Sequence, residues 1–245
     1  MAKSWAWSYS KYKAYDACPK RHYEVDLQKN FVEDSEQLKW GNEVHKAIQL
    51  ATEGKEPLPA SMADYQCWVD EMRSGVFSGD DLPPWVRHLS NPACTVVVEQ
   101  QYSITKDFQP TQWFAHNTWF RGICDAARFD PTMTVGLARD YKTGQIKHDS
   151  RQLMLMAQCM FVHVPSLKRI RTEFVWLKDD CVTAESYDRN TIAREWPPLL
   201  PLVKQMEEAK QEIATKALFA SPKEREAVLS VYEKGIRTLR NPKGS

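Results

Sequence analysis

The sequence predicts an α/β protein, a mixed central β-sheet flanked by helices with a helical N-terminal region, in one domain spanning residues 1–245. Three observations predict it. Apolar residues recur at helical spacing over the first 80 or so residues. Between residues 95 and 190, runs rich in β-branched and aromatic residues are bounded by turn residues and interrupted by one helical stretch. Helical spacing then returns over 191–245. Helices, three strands, helix, two strands, helices is the order of a sheet covered by helices. A chain of 245 residues with 42% hydrophobic content can build a sizeable core.

Taken in order, Ser8 to about Leu27 reads as helix. Gln37 to Ala51 reads as a second, with Trp40, Val44, Ala47, Ile48 and Ala51 on one stripe assigned to the core. A third covers Met62 to Val76 before Gly79, Pro83 and Pro84 break the chain. Three strands follow, Thr95 to Ile104, Trp113 to Phe129 with an interruption near Asn117, and Thr132 to Tyr141. Asp130-Pro131 supplies a turn, and the three can form a meander. A helix from Arg151 to about Val164 carries Leu153, Met156, Ala157, Met160 and Phe161 inward, and two strands come next, Arg169 to Leu177 and Cys181 to Tyr187. After the cap Asn190-Thr191, helices run to about Gly235 with a break near Ser221-Pro222.

Charge narrows the function only locally. Lys plus Arg is 33 against 32 for Asp plus Glu, a formal net charge of +1, so a nucleic-acid partner must be met by clusters. Basic residues gather at Lys11, Lys13, Lys20 and Arg21, at Lys147 and Arg151, and at Lys168, Arg169 and Arg171; each is either a phosphate contact or a solvated face. Six cysteines without a CxxC pair support neither a zinc ribbon nor a disulfide framework. With no apolar run of signal-peptide or membrane-span length, a cytoplasmic protein is expected, in the host cytoplasm if phage-encoded.

The chemistry concentrates in Ala138-Arg-Asp140-Tyr-Lys142-Thr-Gly144. Asp140 and Lys142 stand two positions apart at a strand end, which places both side chains on one face. Asp125 precedes Asp140 by fifteen residues, room for a hairpin that brings the two carboxylates and the ammonium together. Such a trio suits phosphodiester hydrolysis, because magnesium needs only one or two protein carboxylates beside the substrate phosphate. An acid-x-Lys triplet alone is not specific: Glu53-Gly-Lys55 and Glu208-Ala-Lys210 share it without a strand-borne partner acid.

The motif series Gly122-Ile-Cys-Asp125, Asp140-Tyr-Lys142-Thr-Gly144 and Gln152 resembles that of RecB-like PD-(D/E)XK nucleases, whose core is restriction-endonuclease-like. Gly41-Asn-Glu-Val-His45 resembles the GxxxH helix of that branch, and Ser8-Tyr-Ser10, Tyr15, Cys18-Pro19 and Tyr23 its opening pattern. The resemblance implies a DNA exonuclease using Mg2+ or Mn2+. His45, Asp125, Asp140 and the main-chain carbonyl of Tyr141 would be ligands, Lys142 the catalytic lysine and Gln152 its support. Glu99 matches a glutamate placed before the GxxD strand, expected outside the ligand set. Met156 stands where relatives carry a tyrosine and reads as core.

Single-stranded DNA or DNA ends would be met by Ser10, Lys11, Tyr15, Arg21 and Arg151. Tyr12, Tyr15 or Trp40 would stack bases or belong to the core. A single-strand annealing protein or helicase is an expected partner. Iron–sulfur relatives pair a cysteine at the place of Cys18 with three near the C-terminus; none follows Cys181 here, so no cluster is expected. An endonuclease on the same core, or a binding module that kept the fold, are the alternatives; retained acids at a cost in mutual repulsion speak against the latter.

Overall fold

In the computed structural model, which describes residues 6–28, 35–79, 81–192 and 198–219, five strands form one sheet in the order β1-β2-β3-β4-β5. They are β1 (Thr95–Ile104), β2 (Phe120–Phe129), β3 (Val135–Lys142), β4 (Arg169–Trp176) and β5 (Cys181–Asp188). The first three form the antiparallel meander, β3 and β4 run parallel, and β5 returns antiparallel. Helices α1 (Tyr9–Ala17), α2 (Pro19–His22), α3 (Glu36–Thr52) and α4 (Gln66–Ser74) precede the sheet. Helix α5 (Arg151–His163) is the crossover between the parallel strands, and α6 (Arg189–Ile192) and α7 (Leu200–Phe219) follow. Parallel strands need such a crossover. None of the described helices is long and apolar enough to cross a membrane.

The described chain falls into two compact units. The larger contains residues 35–192, with the whole sheet. Its interior strand β4 is buried from Ile170 to Trp176 and α5 from Leu153 to Phe161, as expected for a crossover packed on a parallel strand pair. Val44, Ile48 and Ala51 of α3 and Trp68, Val69 and Met72 of α4 form one cluster with Ala126, Leu137, Tyr141 and Val175 of the sheet. Each large side chain buried there contributes about 1.5–3 kcal/mol.

Two local devices fix the sheet's edges. Asp130 accepts the amides of Thr134 and Val135 at 2.6 and 2.7 Å, so the β2–β3 turn is tied and β3 starts at Val135 rather than Thr132. Arg128, buried, donates to the carbonyls of Leu89, Met72, Arg73, Ser74 and Asn91 and so holds the last turn of α4. Gly75 closes that helix at φ 73°, and a Cβ there would fall 1.8 Å from the Leu89 carbonyl oxygen.

The smaller unit contains residues 7–28 and 198–219. The continuous helix expected over Ser8 to Leu27 is broken at Cys18, whose backbone is extended because Pro19 disfavours a helical predecessor. The Ser8 hydroxyl oxygen and the Cys18 sulfur cap α1 and α2, accepting the amides of Lys11 and Arg21. A π-helical turn, Tyr23–Leu27, ends the segment.

Four further expectations are corrected. Residues 113–119 are turns, because Thr118 and Ala115 bond back to the Gln112 carbonyl and Thr111 to Asn117, so β2 begins at Phe120. Trp40 is 38% exposed, one turn beyond the part of the α3 stripe that the core covers. Arg171 is no phosphate contact: it is buried and paired with Glu173 at 2.7 Å and Asp81 at 3.1 Å. The helix expected over Met62 to Val76 is a 3-10 turn, Ala60–Tyr65, followed by α4. The expected break at Ser221-Pro222 and the helix to Gly235 lie outside the described residues.

Candidate active site

The β2–β3 ladder covers Phe129↔Gly136 to Ala126↔Arg139 and stops there. At that fork Asp125 Oδ2 accepts the Tyr141 amide at 2.7 Å, so a carboxylate replaces the next ladder acceptor. The adjacent pair in β1 and β2 is interrupted as well: Glu99, opposite Asp125 in the register, adopts φ 47°, a left-handed backbone inside a strand. A non-glycine residue held there costs of order 1–3 kcal/mol and is a mark of functional sites.

His45 reaches the fork from α3, with Nδ1 3.3 Å from Asp125 Oδ2. Gly41, one turn earlier, lets α3 lie close: a Cβ on it would stand 3.3 Å from the Thr143 hydroxyl. Ligand atoms of His45, Glu99 and Asp125 lie within 4.8 Å of one another. Asp140, 4% exposed, is bonded by Lys142 Nζ at 2.8 Å and by the Gln152 amide; Lys142 Nζ also donates to Gln152 Oε1 at 3.2 Å. The ammonium sits over the Phe174 ring, 4.9 Å from its centroid.

The electrostatics follow from this crowding. Burial and the neighbouring Asp125 push the Asp140 carboxyl up to about 6 against the pull of Lys142. Burial and Asp125 likewise raise Glu99. Burial alone would lower the His45 imidazole, but its bond to Asp125 and the charges of Asp125, Asp140 and Glu99 outweigh burial and raise it. One imidazole nitrogen amid carboxylates suits a hard or borderline divalent cation such as Mg2+ or Mn2+. The surplus of negative charge is what such an ion would relieve.

Of the residues singled out in the sequence, His45, Asp125, Asp140, Tyr141, Lys142 and Gln152 all belong to the larger unit and meet at the fork. Glu99 was expected outside the ligand set, yet it stands beside His45 and Asp125. Its backbone conformation is what turns it in, and nothing in the local sequence signals that. Arg151 is held by Asp149 at 2.9 and 2.8 Å, and Met156 is buried. Ser10, Lys11, Tyr15 and Arg21 belong to the smaller unit. There Ser10 and Arg21 are exposed, Tyr12 is buried, and Tyr15 packs edge-on against His22.

The family model described as the PD-(D/E)XK nuclease superfamily matches residues 6–215. Among solved structures, the chain is similar to a protein from Eubacterium rectale provisionally assigned as an exonuclease. The TM-score is 0.42, with 10% identity, over 82% of each chain. No curated protein matches in sequence.

Proposed function

This chain belongs to the PD-(D/E)XK nuclease superfamily, and from that premise we propose that it is a metal-dependent DNA exonuclease acting on single-stranded DNA or DNA ends. The observation that supports this reading most is the meeting of Asp125, Asp140, Lys142 and Gln152 with His45 where the β2–β3 ladder opens. Nucleases of this superfamily use divalent metals. His45, Glu99, Asp125 and Asp140, with the Tyr141 carbonyl, are the groups that would hold Mg2+ or Mn2+. Held there, such an ion would supply positive charge to polarise the phosphoryl oxygen and acidify the attacking water.

The chain's own groups do the rest. Lys142, a quarter exposed at its side chain, can donate to a water lined up behind the phosphate and offset negative charge as it develops on the phosphoryl oxygens. Asp140 and Gln152 fix that ammonium, and the Phe174 face beneath it prevents retreat into the sheet. Asp125, bonded to the Tyr141 amide, keeps the β3 backbone and both acids in register.

The test is a time course on end-labelled linear single-stranded DNA beside a closed circular single strand, with Mg2+ or Mn2+ and a chelator control. The expected result is loss of the linear strand alone, abolished by chelator and by Lys142→Ala, which retains metal binding. Cutting of the circle would replace the exonuclease reading with an endonuclease, and inertness toward both would remove the catalytic reading.

A further inference from the structure

Upstream of the fork, the start of β2 and the turns before it carry a second group of residues that the chemistry above does not use. Phe114 is 83% exposed, the most exposed of the large hydrophobic side chains among the described residues. It sits in the turns between β1 and β2 beside Trp113, and the Arg121 guanidinium lies over both rings, 5.4 Å from the Trp113 centroid and 5.5 Å from that of Phe114. Arg121 Nε is buried without a hydrogen-bond partner among the described residues, and burial lowers the pKa of the group. A solvated arginine at a loop edge would normally stay in water. Here two aromatic side chains hold a guanidinium over their faces and leave one ring in solvent, an arrangement whose exposed apolar area asks for an occupant.

The position says which occupant. Arg121, Ile123 and Asp125 are alternate residues of one strand, each at least partly open to solvent, and Ile123 is 44% exposed with exposed Gln101 opposite it in β1. Arg121 therefore lies about 13 Å from Asp125 at the usual strand rise of about 3.3 Å per residue. That is the span of about four stacked nucleotides at about 3.4 Å each. Aromatic faces combined with arginine are how proteins hold single strands without reading sequence, since every base has a π-face. We propose that Trp113, Phe114 and Arg121 form a stacking platform that holds a base and its phosphate a few nucleotides from the phosphodiester at the fork. The proposal rests on reading the chain as a DNA nuclease and adds where the strand is gripped.

The platform can be tested without cleavage. Binding of a fluorescein-labelled oligothymidylate, and of the same oligomer with abasic positions, is measured in chelator for the full chain and for Trp113→Ala/Phe114→Ala. The wild-type protein is expected to bind the thymidylate about tenfold more tightly than the abasic oligomer. The double variant should lose that tenfold and bind both alike while staying folded, with a small drop in melting temperature because Phe114 is exposed and Trp113 half-buried. Arg121→Gln should lower the salt dependence of binding by about one phosphate equivalent. Equal wild-type affinity for the two oligomers, no wild-type binding, or a variant that binds as wild type would each overturn the platform and leave the patch to a protein partner. Those outcomes are separate from failure of the nuclease reading, which the cleavage time course decides.

Discussion

Arg139 and Asp140 are neighbours in β3, and they point into two different electrostatic worlds. On the Arg139 side two buried guanidiniums meet two buried carboxylates: Arg139 bonds Glu71 and, at 2.8 Å, Glu173, which also pairs with Arg171. Arg139 is further seated over Trp68 and Phe77. On the Asp140 side, Glu99, Asp125 and Asp140 crowd around the His45 imidazole and the Lys142 ammonium, with the charge of Lys46 reaching Glu99, and the pKa values of Glu99 and Asp140 still rise. The first arrangement pairs each guanidinium with carboxylates and ties α4 to the sheet; the second crowds carboxylates together, and the pKa values of two of them rise. A buried ion network therefore reads as architecture when its charges close on themselves, and as a site when they do not.

Substitutions on the two sides should fail in opposite ways. Asp140→Ala is expected to lower DNA cleavage in Mg2+ and in Mn2+ by about a thousandfold or more, some 4 kcal/mol of barrier, while the urea midpoint stays level or rises. Full activity in this variant would break the comparison. Glu173→Ala should do the reverse, costing about 3–5 kcal/mol in urea unfolding because two buried guanidiniums each lose a carboxylate, leaving Arg139 with Glu71 and Arg171 with the exposed Asp81. Its residual folded fraction should still cleave.

A smaller effect separates the two through binding. Adding Mg2+ or Mn2+ at about a hundred times its dissociation constant should stabilise the wild-type chain by about 2.7 kcal/mol, read as a rise in melting temperature. Asp125→Asn should lose most of that rise, whereas Glu173→Gln should keep it. The smallest effect is on pH. Because the folded pKa of Asp140 is raised from 3.8 to about 6, the folded state binds more protons than the unfolded one between those values. In chelator, Asp140 therefore adds stability below about pH 4 that is lost as pH rises through about 6. Asp140→Asn should flatten that part of the stability profile measured by urea titration.

Much of the site could be read from the chain because its parts are local. Asp140 and Lys142 share a strand end, the Asp130-Pro131 turn returns β3 beside Asp125, and Gln152 opens the next helix. What escaped the sequence depends on tertiary placement. Glu99 takes its positive φ where the β1–β2 pairing skips a residue, Arg171 looks like any surface arginine until Glu173 is buried beside it, and Trp40 keeps helical spacing after its cover ends. Trp113 and Phe114 have strand composition, but Gln112 and Asn117 draw that stretch into turns.

The parallel seam between β3 and β4 also sets an order of assembly. Asp125 and Asp140 come together through a tied hairpin, a contact short in sequence. The Phe174 ring beneath Lys142 belongs to a strand that can pair with β3 only after α5 has crossed over. Non-local pairing of this kind closes late and slowly. A ribosome-bound chain thus brings its acids side by side before it can lay the Phe174 face beneath Lys142.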